Sequence, residues 1–355
     1  MRSFRSYDAF DVEFAPQLTV VRGANGLGKT NLVEAAVFSA TLRSFRGATN
    51  ESLVRRGDTS AIVRARWERA GRELLVEAEI PLSGRQRILL NRQRVDRRSD
   101  LLDALPVSVF GPDDLDVVKG GPGGRRGWLD EAVVALDPRN EVLLPTLERV
   151  LRQRGALLKQ TRGRPDADAL TTLDVWDDRL VSAGEALVEA RLSALDALSG
   201  PVGEAYDHLA GHESVMSLTY RSSWLSEGLA AGLRTARDDD VRRGVSTVGP
   251  HRDDVELALD GLPLRTHASQ GEQRCAALAL RLAVHRLVAQ RRGVVPLLIL
   301  DDVFSELDPG RADALFGALP EGQVLLTTAG EVPTAATVAS TLWIGSGGPS
   351  DDEPH

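Results

Sequence analysis

Residues that build disulfides, zinc sites and membrane spans are scarce in this chain. One cysteine, Cys275, is present among 355 residues, which excludes an internal disulfide and a cysteine-based zinc site. The six histidines show no spacing typical of metal ligands. No run of about 18 apolar residues occurs, and no signal-like segment precedes the first motif, so we expect a cytoplasmic protein without membrane association.

Lysine is also scarce, and the basic charge is carried by arginine. Only Lys29, Lys119 and Lys159 are lysines, and the formal net charge is −8. This acidic balance argues mildly against a nucleic-acid partner, whose binding surface is usually basic. The arginines nevertheless cluster at 85–98, 149–164 and 234–243. Each cluster is either a solvated face or a DNA-binding surface, and the sequence leaves both interpretations open.

One of the three lysines lies in a complete phosphate-binding motif, GxxxxGKT. The motif follows the apolar run Leu18–Val21 and opens a helical pattern, which is the strand–loop–helix order that it requires. Backbone N–H groups of such a loop surround phosphates, Lys29 reaches the terminal phosphates, and the Thr30 hydroxyl coordinates Mg²⁺. A chance glycine turn is the alternative. The predicted nucleotide-binding residues are Gly23, Ala24, Asn25, Gly26, Leu27, Gly28, Lys29, Thr30 and Asn31.

A second apolar run, Val294–Leu300, ends in two carboxylates. This pattern is typical of a buried parallel strand that presents acidic residues at its carboxyl end. We predict Asp301 as a Mg²⁺ ligand beside Thr30, and Asp302 as the base for the attacking water, with Lys29 as the other catalytic residue. Either aspartate could instead cap the next helix.

Between these elements, Ser269-Gln270-Gly271-Glu272 opens a strongly helical segment. Ser269 and Glu272 are spaced as a capping box, so a purely structural role is possible. The order of glycine loop, SxG helix start and Asp-Asp resembles the ABC-type ATPases, in which one subunit's SxG end closes over the γ-phosphate bound by another. A helix N-terminus favours an anion. The resemblance adds these nucleotide-binding residues: Ser269, Gln270, Gly271, Glu272, Ser305 and Asp308.

Within that superfamily the chain resembles the RecF family, bacterial recombination-repair ATPases related to the SMC proteins. The matching segments lie at 4–7, 23–35, 114–126, 249–254, 268–274 and 300–308. The resemblance implies ATP and Mg²⁺ as cofactors, and Arg5 as a further residue that reaches the phosphates. It also implies an ATP-dependent homodimer with slow hydrolysis that engages duplex DNA near single-strand gaps. RecR and RecO are the implied partners, in loading RecA and supporting SOS induction.

Three positions depart from the ABC pattern. Asp302 stands where a glutamate is usual, Glu272 replaces a glutamine, and no switch histidine follows the last core strand, where Thr327 and Thr328 stand. Two alternatives remain. One is an ABC-type subunit of another assembly such as a transporter, against which the missing switch histidine argues. The other is an ATP-gated scaffold without significant hydrolysis, in which Asp302 is too short to act.

The predicted fold class is α/β, an ABC-type ATPase head made of a P-loop core and a β-subdomain, with an inserted α-helical arm. Residues 1–127 and 241–344 form the predicted ATPase lobe, 128–240 the arm, and 345–355 a disordered tail. Alternating residues at 60–95 predict the β-subdomain, and 164–172 is the expected hinge loop between antiparallel helices. For His251 and Arg252, within Gly249–Asp254, a turn before a strand and a polar contact at a head interface are equally open.

Overall fold

The structure is a computed structural model, and it describes residues 1–69, 71–161, 163–345 and 348–350. The chain forms two compact units. The first contains Met1–Asp114, His208–Gly211 and the chain from Leu278 onward. The second contains Leu115–Asp207 and His212–Ala277. These bounds differ from the predicted lobes, because Leu115–Gly127 and 241–277 lie with the helical unit.

The described residues form strands and helices in the following order. In chain order the strands are β1 (Arg2–Phe4), β2 (Tyr7–Ala9), β3 (Leu18–Arg22), β4 (Ser60–Arg69), β5 (Arg72–Pro81), β6 (Arg87–Leu90), β7 (Gln93–Arg94), β8 (Val107–Phe110), β9 (Met216–Arg221), β10 (Asp254–Leu259), β11 (Leu262–Pro263), β12 (Leu297–Asp301), β13 (Val324–Thr328), β14 (Val338–Gly345) and β15 (Gly348–Ser350). The helices are α1 (Lys29–Thr41), α2 (Asn50–Leu53), α3 (Arg98–Ala104), α4 (Leu115–Lys119), α5 (Pro122–Leu136), α6 (Leu143–Gln160), α7 (Ala167–Ala210), α8 (Leu229–Arg243), α9 (Leu264–His267), α10 (Gln270–Arg292) and α11 (Pro309–Ala318).

A mostly parallel sheet forms the core of the first unit, in the order β15-β14-β3-β13-β12-β8. Every residue of β12 and β13 is buried, as expected for parallel strands covered on both faces. This burial explains why β12 is apolar up to Asp301 and β13 is apolar up to Thr327. The sheet brings the carboxyl ends of β3, β12 and β13 to one edge, because these strands are parallel neighbours.

An antiparallel sheet, β2-β1-β4-β5-β6-β7, forms the predicted β-subdomain. Ala61 and Val63 of β4 are buried together with Ala78 and Ile80 of β5 against Phe38 of α1. Alternate residues therefore pack on the P-loop helix, which confirms the period-two prediction for 60–95.

The second unit is mainly helical, with a small sheet of order β11-β10-β9. Leu147 of α6 and Leu187 of α7 share a core with Leu233 of α8. The expected hinge loop is shorter than predicted: residues 167–172 are helical, because Asp166 accepts a hydrogen bond from the Ala169 N–H at 2.8 Å and so opens α7 earlier.

The Gly249–Asp254 motif forms a turn inside a polar network of the second unit. Arg252 N–H donates to the Gly249 carbonyl at 2.8 Å, and β10 begins at Asp254, so the turn interpretation is confirmed. Asp253 accepts from the Tyr220 hydroxyl at 2.8 Å and from the Trp224 indole at 3.0 Å. The interface contact stays a prediction.

The predicted disordered tail is wrong in part. Gly348–Ser350 forms β15, antiparallel to β14, since it extends the edge of the parallel sheet; residues 346, 347 and 351–355 lie outside the described part of the chain. Among the described residues, no helix is both long and apolar enough to cross a bilayer.

Candidate nucleotide-binding site

The glycine loop joins β3 to α1 in a conformation that two of its glycines make possible. Gly23 has φ 156°, and a Cβ there would lie 2.5 Å from the Ile344 carbonyl oxygen. Gly28 has φ 101° and caps α1 without a side-chain hydrogen bond, and no acidic residue lies in the first turn of the helix. The N–H groups at this helix start are therefore available to an anion, as the motif predicts.

Lys29 folds over the loop and is only 6% exposed. Its ammonium donates to the carbonyls of Gly23 at 2.8 Å and Ala24 at 3.1 Å, and reaches the Asn25 side-chain oxygen at 3.4 Å. Burial lowers the pKa of Lys29, while the nearby carboxylates of Asp302 and Asp301 oppose that shift. A phosphate that enters the loop would meet a cation whose present partners are neutral carbonyl and amide oxygens.

Asp301 and Thr30 meet although 271 residues separate them. The Thr30 hydroxyl donates to Asp301 Oδ1 at 2.8 Å, and the Thr327 hydroxyl donates to the same oxygen at 2.7 Å. Burial raises the pKa of Asp301, and these two hydroxyl hydrogen bonds oppose the rise.

These oxygens fit Mg²⁺, which prefers hard oxygen ligands and completes its shell with water and phosphate. In the parts of the chain that the structure describes, no group of three acidic, histidine or cysteine side chains could hold a metal unaided. A metal bound by Thr30 and Asp301 would therefore depend on the phosphates of a nucleotide.

Asp302 lies beside this site in a left-handed conformation with φ 53°. Its N–H donates to both the carbonyl and the hydroxyl oxygen of Thr327, each at 3.1 Å. Asp302 occupies the N-cap position of the next helix, the 3₁₀ segment Val303–Glu306, but its side chain makes no capping hydrogen bond within the described residues. The cap of α11 is Asp308, whose carboxylate accepts from Arg311 N–H at 3.0 Å. The Ser305 hydroxyl donates to the Asp302 carbonyl at 2.8 Å.

Arg5 is held by a carboxylate in this structure. Its guanidinium binds both oxygens of Glu34, at 2.7 and 2.9 Å, and donates to the Ser52 carbonyl at 3.0 Å. Glu34 is fully buried, so it needs this cation. A role of Arg5 in phosphate binding stays a prediction.

Three residues of the site went unnoticed as functional candidates in the sequence. Thr327 organises both aspartates, Glu34 holds Arg5, and the Tyr7 hydroxyl donates to the Gly28 carbonyl at 3.1 Å. Of the three, only Thr327 could have been noticed in the sequence, because it is a polar residue near the end of a buried apolar strand. The Asn31 side chain, which was predicted to bind nucleotide, donates to the Ser6 hydroxyl at 3.0 Å.

The SxG segment belongs to the second unit and forms the predicted capping box. Ser269 N–H donates to the Glu272 carboxylate at 2.6 Å, and Glu272 N–H donates to the Ser269 hydroxyl oxygen at 3.3 Å. Ser269 and Gln270 are exposed, and Gly271 is half-buried. Ser269 and Glu272 therefore cap the helix as predicted, and the contact of the SxG residues with a nucleotide stays a prediction.

Known proteins similar to this chain fall in one family. The family described as the RecF/RecN/SMC N terminal domain matches residues 1–332. A DNA replication and repair protein RecF from Frankia alni is 42% identical, with 97% of this chain and 96% of the relative covered. The protein of the same name from Streptomyces avermitilis is 40% identical, with 98% and 97% covered.

Solved structures agree with this grouping. The structure of the recombination mediator protein RecF-ATP in the RecFOR pathway has a TM-score of 0.89 and 26% identity, and covers 98% of this chain and 95% of that one. An Smc head domain from Pyrococcus furiosus, with a TM-score of 0.54 and 18% identity, shares the fold. The predicted fold class, an ABC-type ATPase head with an inserted helical arm, is confirmed. On the identity and coverage of these relatives, the chain belongs to the RecF family.

Proposed function

We propose that the chain is an ATP-dependent, DNA-binding protein of replication and recombinational repair, with weak, DNA-stimulated and Mg²⁺-dependent ATPase activity. The observation that carries this proposal is the meeting of Thr30, Asp301 and Lys29 at the carboxyl edge of the parallel sheet. Family membership favours this function over that of a transporter subunit.

ATP binding would exchange the present partners of Lys29 for phosphate oxygens. The ammonium leaves the Gly23 and Ala24 carbonyls, and the free N–H groups at the start of α1 take up the remaining phosphate charge. Bound Mg²⁺, held by Thr30 and Asp301, would neutralise charge that develops on the phosphates. Asp302, which Thr327 holds in place, is the residue proposed to orient and deprotonate water.

The SxG segment supports a head-to-head homodimer with two composite sites. In the capping box the Ser269 oxygen is an acceptor, so its own hydrogen is left to donate to a phosphate. With the exposed helix start of α10, it would complete the site of a second copy of the chain. ATP then joins the two copies, and slow hydrolysis releases them.

The cellular role is proposed from the relatives. Two similar structures are of a recombination mediator in the RecFOR pathway, which supports RecR and RecO as partners. We place the dimer on duplex DNA near single-strand gaps, where it helps RecA loading and SOS induction.

Substitution Lys29→Ala tests the central step. We expect the variant to lose ATP-dependent dimerisation in light scattering and ATP-dependent retention of a labelled gapped duplex, because the terminal phosphates lose their cation. Lys159→Ala removes an exposed lysine outside the loop and serves as the matched control. A Lys29→Ala protein that still dimerises with ATP would contradict the proposal.

A further inference from the structure

The edge of the antiparallel sheet carries a concentration of arginine. Between residues 85 and 97 there are five arginines and one acidic residue, Asp96. All five are exposed, and they surround the hairpin of β6 and β7. We call this set the arginine hairpin; its members are Arg85, Arg87, Arg92, Arg94 and Arg97.

Ion pairing distinguishes the arginine hairpin from most arginines of the other two clusters, although Arg149, Arg164 and Arg234 also form no ion pair among the described residues. In those clusters Arg154 binds Asp177 and Asp240, Arg237 binds Asp174, and Arg242 and Arg243 bind Asp239. Within the described residues, by contrast, no guanidinium group of the arginine hairpin has a hydrogen-bond or ion-pair partner. Their positive charge is therefore not neutralised by the protein, although the whole chain is acidic.

The hairpin turn adds an independent observation. Asn91 and Arg92 form a two-residue turn, with φ 51° and 67°. Asn91 tolerates this conformation and is fixed to β5, since it exchanges two hydrogen bonds of 2.8 Å with Leu75. Arg92 occupies the position where such turns favour glycine, so it holds a strained backbone at the tip. A strained backbone at an exposed arginine whose guanidinium has no partner indicates a functional role for that arginine.

Strand register sets the direction of the neighbouring arginines. Ile88 is buried, so Arg87 and Leu89 face away from the core. Arg94 pairs with Leu89 and shares that outer face. Glu79 of β5 stands directly across from Arg87 without an ion pair within the described residues. Glu77, which lies on the same face across from Leu89, is paired with Arg64 at 3.0 Å.

We propose that the arginine hairpin is the surface that contacts the phosphate backbone of duplex DNA. This inference rests on the proposed function and names the part of the chain that performs the DNA contact. Guanidinium groups form charge-assisted, often bidentate hydrogen bonds with phosphate, and backbone contacts fix position without reading sequence.

Substitution Arg92→Gly separates this role from a structural one. Glycine relieves the backbone strain, so Tm is expected to rise by roughly 2 °C. Loss of one phosphate contact should weaken binding of a fluorescein-labelled duplex, in ATP and Mg²⁺, by roughly eight-fold at about 0.1 M NaCl, and lower the log–log salt slope by about 0.9. ATP binding should not change.

Glu79→Gln removes an opposing charge and should tighten duplex binding.

Arg242→Gln is the matched control, because Arg242 is exposed but paired with Asp239. It should leave the affinity and the salt slope of the parent unchanged. If the parent binds duplex only in ATP, and Arg92→Gly has the same duplex affinity and salt slope as the parent, the DNA contact of the arginine hairpin would be overturned while the proposed function stands. A parent that binds ATP but does not retain duplex would overturn both.

Discussion

At the residue scale, one hydroxyl group organises the two carboxylates of the candidate site. Thr327 donates to Asp301 and accepts from the N–H of Asp302, and it is fully buried. No switch histidine follows this strand, so Thr327 is the side chain that connects β13 to the metal-side carboxylate. Such a buried bridge fixes the distance between the proposed metal ligand and the proposed base.

Substitution Thr327→Val keeps the shape of this side chain and removes both hydrogen bonds. Asp301 then loses a donor in a buried place, which should cost about 1–3 kcal/mol of unfolding free energy. We also expect weaker Mg²⁺-dependent ATP binding, measured by titration calorimetry with and without the metal. Thr328→Val is the control, since among the described residues the Thr328 hydroxyl oxygen accepts a hydrogen bond only from the Gly330 N–H. Equal ATP affinity in the two variants would show that Thr327 is dispensable.

At this scale, the sequence predicted the site residues that lie close together in one short motif. The glycine loop, Thr30 and Asp301 belong to compact motifs whose local backbone decides their geometry, so they could be predicted. Glu34 could not, because its partner Arg5 is 29 residues away and no motif connects a helix glutamate with an arginine in a tight turn. Periodicity predicted the strands of the β-subdomain because one face is buried, but it gave no warning that α7 starts at Ala167, where a single aspartate cap decides.

At the scale of elements, α10 contains a titratable group inside an apolar contact. His285 is 1% exposed, its Nδ1 lies 3.0 Å from the Ser108 hydroxyl, and its ring meets Phe110 edge-on. Burial lowers the pKa of His285 to about 4, and Arg286 contributes in the same direction. The folded chain therefore keeps this imidazole neutral.

The pH dependence follows from this shift. Because the folded pKa of His285 lies below the unfolded value, its contribution to the free energy of unfolding is fully present above about pH 6.5. That contribution is lost as pH falls toward about 4. The loss amounts to roughly 3 kcal/mol. Urea unfolding of the parent and of His285→Leu at several pH values measures this loss. The free energy of unfolding of the parent, relative to that of the variant, should fall as the solution is acidified. A constant difference would contradict the neutral, buried imidazole.

At the scale of the whole molecule, the proposed composite sites can be tested by a complementation experiment. Lys29→Ala damages the loop of one copy, and Ser269→Ala damages the segment offered to the other copy. In a mixed dimer, the intact loop of one chain meets the intact Ser269 of its partner, so one of the two sites is complete. Mixing the two variants equally should restore phosphate release to at most about a quarter of the parent rate.

The variants measured separately provide the baseline for this mixture. Each alone should release little phosphate, because both of its sites contain the same damage. No recovery on mixing would mean that the site is complete within one chain. A parent that binds ATP and dimerises without releasing phosphate would instead support the ATP-gated scaffold.

The near absence of lysine, combined with the buried ammonium of Lys29, has a consequence for chemical labelling. An amine-reactive reagent finds four primary amines, of which Lys29 is shielded and held by three oxygen acceptors. The terminal amine is also engaged, with the Phe10 carbonyl and Asp11. Lys159 is exposed and Lys119 half-buried, so mild acylation attaches a dye first to the end of α6. The chain can thus carry a fluorophore in its helical unit while its phosphate loop stays chemically intact.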